Sequence, residues 1–263
     1  MIYIFHILVM AEIYIIAGLS LNLVMGYGGM FSLAHAAFYG VGAYISALLM
    51  THFGMNFFVT LPFSVFGGMF TALAAGLPSL RLKGAYLMLG TLSVQALVFS
   101  VLYNCTSLTR GPYGISAIPP PQAFGYKFTG TWQFFLIGLI FALAVICIFK
   151  IIGDSPYGRA LKAVRDDEPL AVTLGKNAAR LKISAFVISG GVTALSGSLL
   201  AAYVSYIDPT SFMLEESFFM VTLLVVGGMG NLKGPISGVF LALLIPEALR
   251  FLGTVTQGGS HPA

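Results

Sequence analysis

Apolar runs long enough to cross a bilayer follow one another through almost the whole sequence, and a single polar island interrupts them. A bilayer core takes about 20 apolar residues per helix. Runs of that order fall near 2–25, 31–50, 57–77, 85–104, 132–152, 183–203 and 235–252. Another, at 218–228, is too short to cross unless it borrows its flanks, and so reads as a broken or half helix. Of the 263 residues 58% are hydrophobic and 8% charged, whereas soluble domains carry roughly 25% charge. The expected fold class is all-α: one polytopic transmembrane helical bundle over 1–263, of about eight spans, some broken or half helices. The first run is too long for a cleavable leader and has no basic start, so it is expected to remain as a span.

The island covers 150–182 and holds seven of the thirteen Lys and Arg with four of the nine acids. The positive-inside rule places such a loop in the cytoplasm. Alternation then puts Arg81, Lys83 and Lys233 on the same side, and only Arg110, Lys127 and Arg250 on the other, ten basic residues against three. The net charge of +4 therefore serves topology, not a nucleic-acid surface. Within the island Asp154 and Ser155 are N-cap types, Pro156 suits a first helical position and Gly175 a stop. One short amphipathic helix is expected, with Tyr157, Ala160, Leu161 and Val164 on its apolar face and Arg159, Lys162 and Arg165 on the other. It either lies on anionic headgroups or docks a cytoplasmic partner. On the outer side, loop 105–130 is stiffened by Pro119, Pro120 and Pro121, and loop 206–216 carries Asp208, Glu215 and Glu216. Each is a connector or a partner surface.

No catalytic constellation is present. His6, His35, His52 and His261 are scattered, and Cys105 and Cys147 suit neither a disulfide framework nor a metal pair. No metal or cofactor is expected. A phosphate-binding loop is missing too: Gly175-Lys176 is followed by Asn177 and lacks the upstream glycine. The chain is not expected to be an enzyme, and any ATP that drives it must be hydrolysed by another subunit.

Glycines cluster at Gly26, Gly28 and Gly29, and again at Gly227, Gly228, Gly230 and Gly234, inside apolar sequence. Unwound backbone there is tolerated only if buried or lining a cavity, and transporters use such breaks to hold substrates. Asn22, Ser32, His35, Thr91, Gln95, Gly227 and Gly228 are the candidates for a translocation pathway, with bonding or packing between helices as the alternative for each. His35 and Gln95 lead, since each offers donor and acceptor. The spacings Gly190/Ala194/Ser198 and Thr193/Gly197/Ala201 read as helix packing. Glu12, ionisable within a span, is a functional candidate by default. It is expected near the outer interface and receives no role.

The run GRALKAVRDDEPLAVTLGKNAARLKISAFVISGGVTALSGSLLA, the later VVGGMGNLKGPISG, the N-terminal SLNLVMGYGGMFSLAHAAFYGVGAY and the central RLKGAYLMLGTLSVQAL resemble the membrane subunits of branched-chain amino acid ABC transporters, the M-type permease in particular. The resemblance covers most of the chain, from Ala17 to Gly253, with Ala34 where a glycine is usual and Lys176 where an aliphatic is usual. It implies a type II-like ABC importer permease in a bacterial inner membrane, moving branched-chain amino acids or a related small polar solute by alternating access. The implied partners are a homologous second permease, two cytoplasmic ATPase subunits, an external substrate-binding protein and the lipid bilayer, with no nucleic acid. It also implies that 150–182 contacts the ATPase, through Gly158, Arg159, Ala160, Arg165, Asp166, Glu168 and Gly175. The competing reading is a self-sufficient secondary transporter or channel. That would need coupling-ion carboxylates deep in the spans, where only Glu12 and Glu247 are candidates. A purely structural scaffold is a third, which the glycine-broken spans disfavour.

The topology has a direct check. A single cysteine at Ser155 should react with an impermeant thiol reagent only from the cytoplasmic side, and labelling from outside would invert the arrangement.

Overall fold

The computed structural model describes residues 2–243 except 80, 83, 124 and 125. Lys83, Glu247, Arg250, His261 and the end of the run at 235–252 therefore lie outside the described residues. Helix α1 (Ile2–Asn22) continues through one π-helical turn, Leu23–Tyr27. Then come α2 (His35–His52), α3 (Phe57–Ser79), α4 (Ala85–Asn104) and the single turn α5 (Thr106–Thr109). Three two-residue strands follow, β1 (Ile115–Ser116), β2 (Gln122–Ala123) and β3 (Tyr126–Lys127). The chain goes on with α6 (Thr131–Asp154), α7 (Pro156–Asp166), α8 (Glu168–Thr173) and the long α9 (Ala178–Val204). Strand β4 (Tyr206–Ile207), a 3₁₀ turn at Pro209–Phe212, α10 (Leu214–Gly227) and Lys233–Leu243, here α11, complete it.

Among the described residues five helices are long and apolar enough to cross a membrane: α1 with its π turn, α3, α4, α6 and α9. The protein is a multi-pass, all-α membrane protein. Two expectations need correction, at 31–50 and in the island, while the run at 218–228 is the short helix expected once it borrows its flank. The run at 31–50 becomes a helix only at His35, because the backbone of 28–34 is unwound. The short run at 218–228 is a helix of 14 residues that starts at Leu214 and ends at Gly227. The island forms two helices instead of one. Asp167 caps the second by accepting from the Leu170 amide (3.0 Å), and Pro169 beside it cannot continue the first.

Helices α1 and α9 form the centre. Of the best apolar window, 78% is buried in α1 and 61% in α9, against 22–33% in α3, α4 and α6, which turn Phe66, Phe70, Leu97, Ile140 and Leu143 outward. Composition explains α9's place. Its small residues let backbones approach: a Cβ on Gly42 of α2 would stand 2.0 Å from the Ala194 carbonyl oxygen, and one on Gly197 2.0 Å from that of Tyr39. Ser198 donates to the Gly42 carbonyl across the same seam (3.1 Å). Without a hydrophobic force between helices in lipid, such close packing and interhelical hydrogen bonds hold the bundle.

The loops sort to two ends. At one, β1 pairs antiparallel with β4, with Ile115 opposite Ile207, joining the 105–130 loop to the segment after α9. At the other lie α7, α8 and the turn between α10 and α11. Gly42→Leu should wedge α2 from α9 and cost about 1–3 kcal/mol. In detergent this reads as an earlier melting transition, whereas Leu143→Ala on the lipid face should leave it nearly unchanged.

Candidate functional site

Two helices begin inside the bundle rather than at its ends. After the π turn, residues 28–34 climb back between α1, α4 and α10 as irregular backbone, and α2 starts at His35. After β4, the 3₁₀ turn dips in from the opposite end, and α10 starts at Leu214. The two starts meet. Ser217, in the first turn of α10, donates to the Leu33 carbonyl (2.7 Å) and accepts from the Ala36 amide (3.0 Å).

Helix α4 fastens both breaks with residues one turn apart. Thr91 Oγ1 accepts from the Leu33 amide (3.1 Å) and donates to the Met88 carbonyl of its own helix (2.9 Å). Gln95 Nε2 donates to the Phe212 carbonyl (2.7 Å). Ser32 Oγ accepts from the Ala34 amide (3.3 Å). These bonds replace the helical partners that the unwound backbone has lost, as a low-dielectric interior demands.

His35, 1% exposed, points into the seam of α1, α2 and α9. Ser189 donates to the Ser20 carbonyl (2.8 Å), which uses its one proton, so His35 Nε2 (2.8 Å away) is the donor toward Ser189. His35 Nδ1 has no partner among the described residues, and neither has Gln95 Oε1. Gln95 also forms part of the wall of a mostly apolar cleft of about 340 Å³ with Leu92, Ala96, Phe99, Leu214 and Phe218.

The pathway candidates thus divide. Ser32, His35, Thr91 and Gln95 gather around the two helix starts. Asn22 lies elsewhere, at the end nearer α7, where it accepts from the Gly230 amide (2.9 Å) and donates to the Asn231 carbonyl (3.0 Å). Gly227 packs on α11, with a Cβ only 1.9 Å from the Gly234 carbonyl oxygen, and Gly228 turns the chain at φ +100°. Ser217 and Phe212 carry no sequence mark beyond polarity and size. Glu12 is 5% exposed and pressed against Gly138 of α6, and neither carboxylate oxygen has a partner among the described residues.

The island residues divide as well. Gly158 faces inward, where a Cβ would meet the Ile152 carbonyl oxygen at 2.3 Å, so it is closed to any partner. Arg159 is exposed and donates to the Asp154 carbonyl (2.6 Å), and Ala160 beside it is half-buried. Glu168 pairs with Lys182 (2.8 Å), and Asp166 with Arg165 (2.8 Å). Gly175, at φ +79°, ends α8 with space around it. Arg165 and Lys162, expected to face away from the apolar side, reach back to the bundle. Arg165 Nη1 donates to the Gly26 carbonyl (2.7 Å), and Lys162 Nζ lies 4.4 Å over the Tyr27 ring.

A broken-helix bundle with a tethered basic corner is the setting for the comparisons with known proteins. The family model described as branched-chain amino acid transport system / permease component matches residues 3–258. The chain belongs to this family. The high-affinity branched-chain amino acid transport system permease protein LivM of Salmonella typhimurium is 34% identical over 92% of this chain and 62% of its own length. LivM of Escherichia coli is 34% identical over 90% of this chain and 61% of its own. LivH of Salmonella typhimurium, a permease of the same kind of system, is 27% identical over 90% and 81%. The chain spans less than two thirds of the length of these LivM relatives. The relatives are transport permeases, not enzymes. No solved structure matches the chain.

For this permease-family chain, Ser217→Ala strips one bond from each side of the junction and leaves a buried amide and carbonyl short of partners, at about 1–3 kcal/mol each. A lower detergent melting temperature, with Ser217→Thr less affected, is the expected result.

Proposed function

We propose that this chain is a permease subunit of an ATP-driven, type II-like importer in a bacterial inner membrane, with branched-chain amino acids or a related small polar solute as cargo. A homologous second permease, two cytoplasmic ATPase subunits and an external substrate-binding protein complete the assembly. Family membership supports the class. The absence of a phosphate loop from the sequence agrees with ATP being hydrolysed elsewhere.

The observation that carries the reading is the corner made by α7 and α8. It projects beyond the spans, yet exposes apolar side chains, Leu170 at 56%, Val172 at 52% and Leu174 at 72%. Asp167 and Lys176, which flank this stretch in sequence, are exposed, as are Arg159 and Asp166 on α7. An apolar patch rimmed by charge, outside the lipid, is a protein-docking surface in its chemistry. The ATPase is its proposed occupant.

On this reading the pathway passes the two helix starts, with Ser32, His35, Thr91 and Gln95 around them. The arrangement has few fixed charges to offer a zwitterion, so capture is weak and selection falls to the external binding protein. Alternating access follows when the ATPase moves the α7–α8 corner.

The patch supplies the test. Leu170→Asp and Leu174→Asp should leave the chain folded and membrane-inserted, since both side chains are exposed. ATPase co-purification should fall by about tenfold or more, equivalent to roughly 1.4 kcal/mol. Unchanged recovery of the ATPase with both variants would remove the corner from the interface.

A further inference from the structure

Arg165 stands at a three-way junction. Its Nη1 donates to the Gly26 carbonyl (2.7 Å) in the π turn of α1. A Cβ on Gly29, the residue from which the chain turns back into the bundle, would lie 2.5 Å from Arg165 Cγ and 3.3 Å from its Cβ. A Cβ on Gly230, in the α10–α11 turn, would lie 3.1 Å from Nη1. Asn22 joins the same turn to α1 through Gly230 and Asn231. The Gly26 carbonyl is open to a side chain because the helix ends at Tyr27 and the Met30 amide bonds to the Val24 carbonyl instead (3.0 Å), and π turns are frequent at functional points in helices.

We propose that Arg165 is a positioning residue that couples the α7–α8 corner to the inner segment 28–34. It acts from within the chain and is not a contact to the ATPase. The inference rests on the permease reading above. Asp166 pairs with the Arg165 guanidinium from the solvent side (2.8 Å) and holds it toward Gly26. A push on α7 is thereby delivered to Gly26 and Gly29. From there it travels along 28–34 to the junction of Leu33, Ala36 and Ser217 where α2 and α10 begin. The two helix starts and the docking corner become one moving unit, joined by a hydrogen bond and by the close stacking of the Arg165 stem on Gly29. Lys162 over Tyr27 guides the same approach but touches neither glycine.

The test uses the whole importer in proteoliposomes, with Cys105 and Cys147 replaced by serine. Stimulation of ATP hydrolysis by loaded binding protein is the readout, and ATPase co-purification the control. Arg165→Ala should still recover the ATPase but lose stimulation by about tenfold, within the usual range of coupling between sites. Arg165→Lys, which keeps a charged donor, should recover part of it. The decisive variant pairs Gly29→Cys with Arg165→Cys, whose Cβ separation is close to that of a disulfide. Oxidation should restore stimulation in that sample, and reduction should remove it again.

Full stimulation in Arg165→Ala would overturn the proposal. So would loss of ATPase recovery in step with stimulation, which would make Arg165 a partner contact. A cross-link that forms but blocks stimulation would overturn it too, since the two elements would then have to part during the cycle. An unmodified assembly that shows no stimulation at all would strike the permease reading first and take this inference with it.

Discussion

Backbone amides and carbonyls cannot be left unpaired in a hydrocarbon environment, and the rest of this structure follows from how that demand is met. Most of the chain meets it by continuous helix. At 28–34 and 205–213 it does not, and side chains must supply the missing partners. Thr91 and Gln95 do so from α4, and Ser217 from α10. The price in specificity is that each of these residues is needed at one position. The gain is a pair of helix starts, with their positive dipole ends, held inside the bundle.

Surface shape sets the order of burial. Helix α9, whose Gly, Ala and Ser let α2 and α3 come close, sits centrally, while aromatic-rich α3 and aliphatic α6 turn their large side chains to lipid. The β1–β4 pair and the α7–α8 corner lie at the two ends of the bundle. Stability and mechanism draw on the same contacts here, because the seams that fix the bundle also position the breaks.

Much of this was legible from composition and spacing. The apolar runs located α1, α3, α4, α6 and α9, the cap residues Ser155 and Pro156 marked the start of α7, and the glycine clusters flagged the unwound stretch after Tyr27 and the α10–α11 turn, though not the second break at 205–213. The small-residue spacing in α9 was correctly read as packing. What could not be read was direction. Arg165 looks like a solvent-facing residue by helical spacing, yet its long stem lets it curl back to the Gly26 carbonyl left open where the first helix ends. Ser217 is one hydroxyl among many, and only the fold brings Leu33 and Ala36 to it. The burial of Glu12 against Gly138 of α6 is likewise set by which helix packs beside α1, and hydropathy along one run does not show that. The starts of α2 and α10 were hidden for a related reason: hydropathy measures how apolar a run is, not where its helix begins.

The central place of α1 bears on how the protein is made. Among the described residues Ser20 and Asn22 find their interhelical partners in α9 and in the turn after α10, at Thr193, Gly230 and Asn231, 173 to 209 residues later along the chain. Until those late segments are synthesised, α1 must wait in lipid or beside the insertion machinery with its polar side chains unmatched. Assembly of the core is thus tied to synthesis of α9 and the α10–α11 turn, and a nascent chain stalled before α10 would expose to membrane quality control the surface that the finished protein hides.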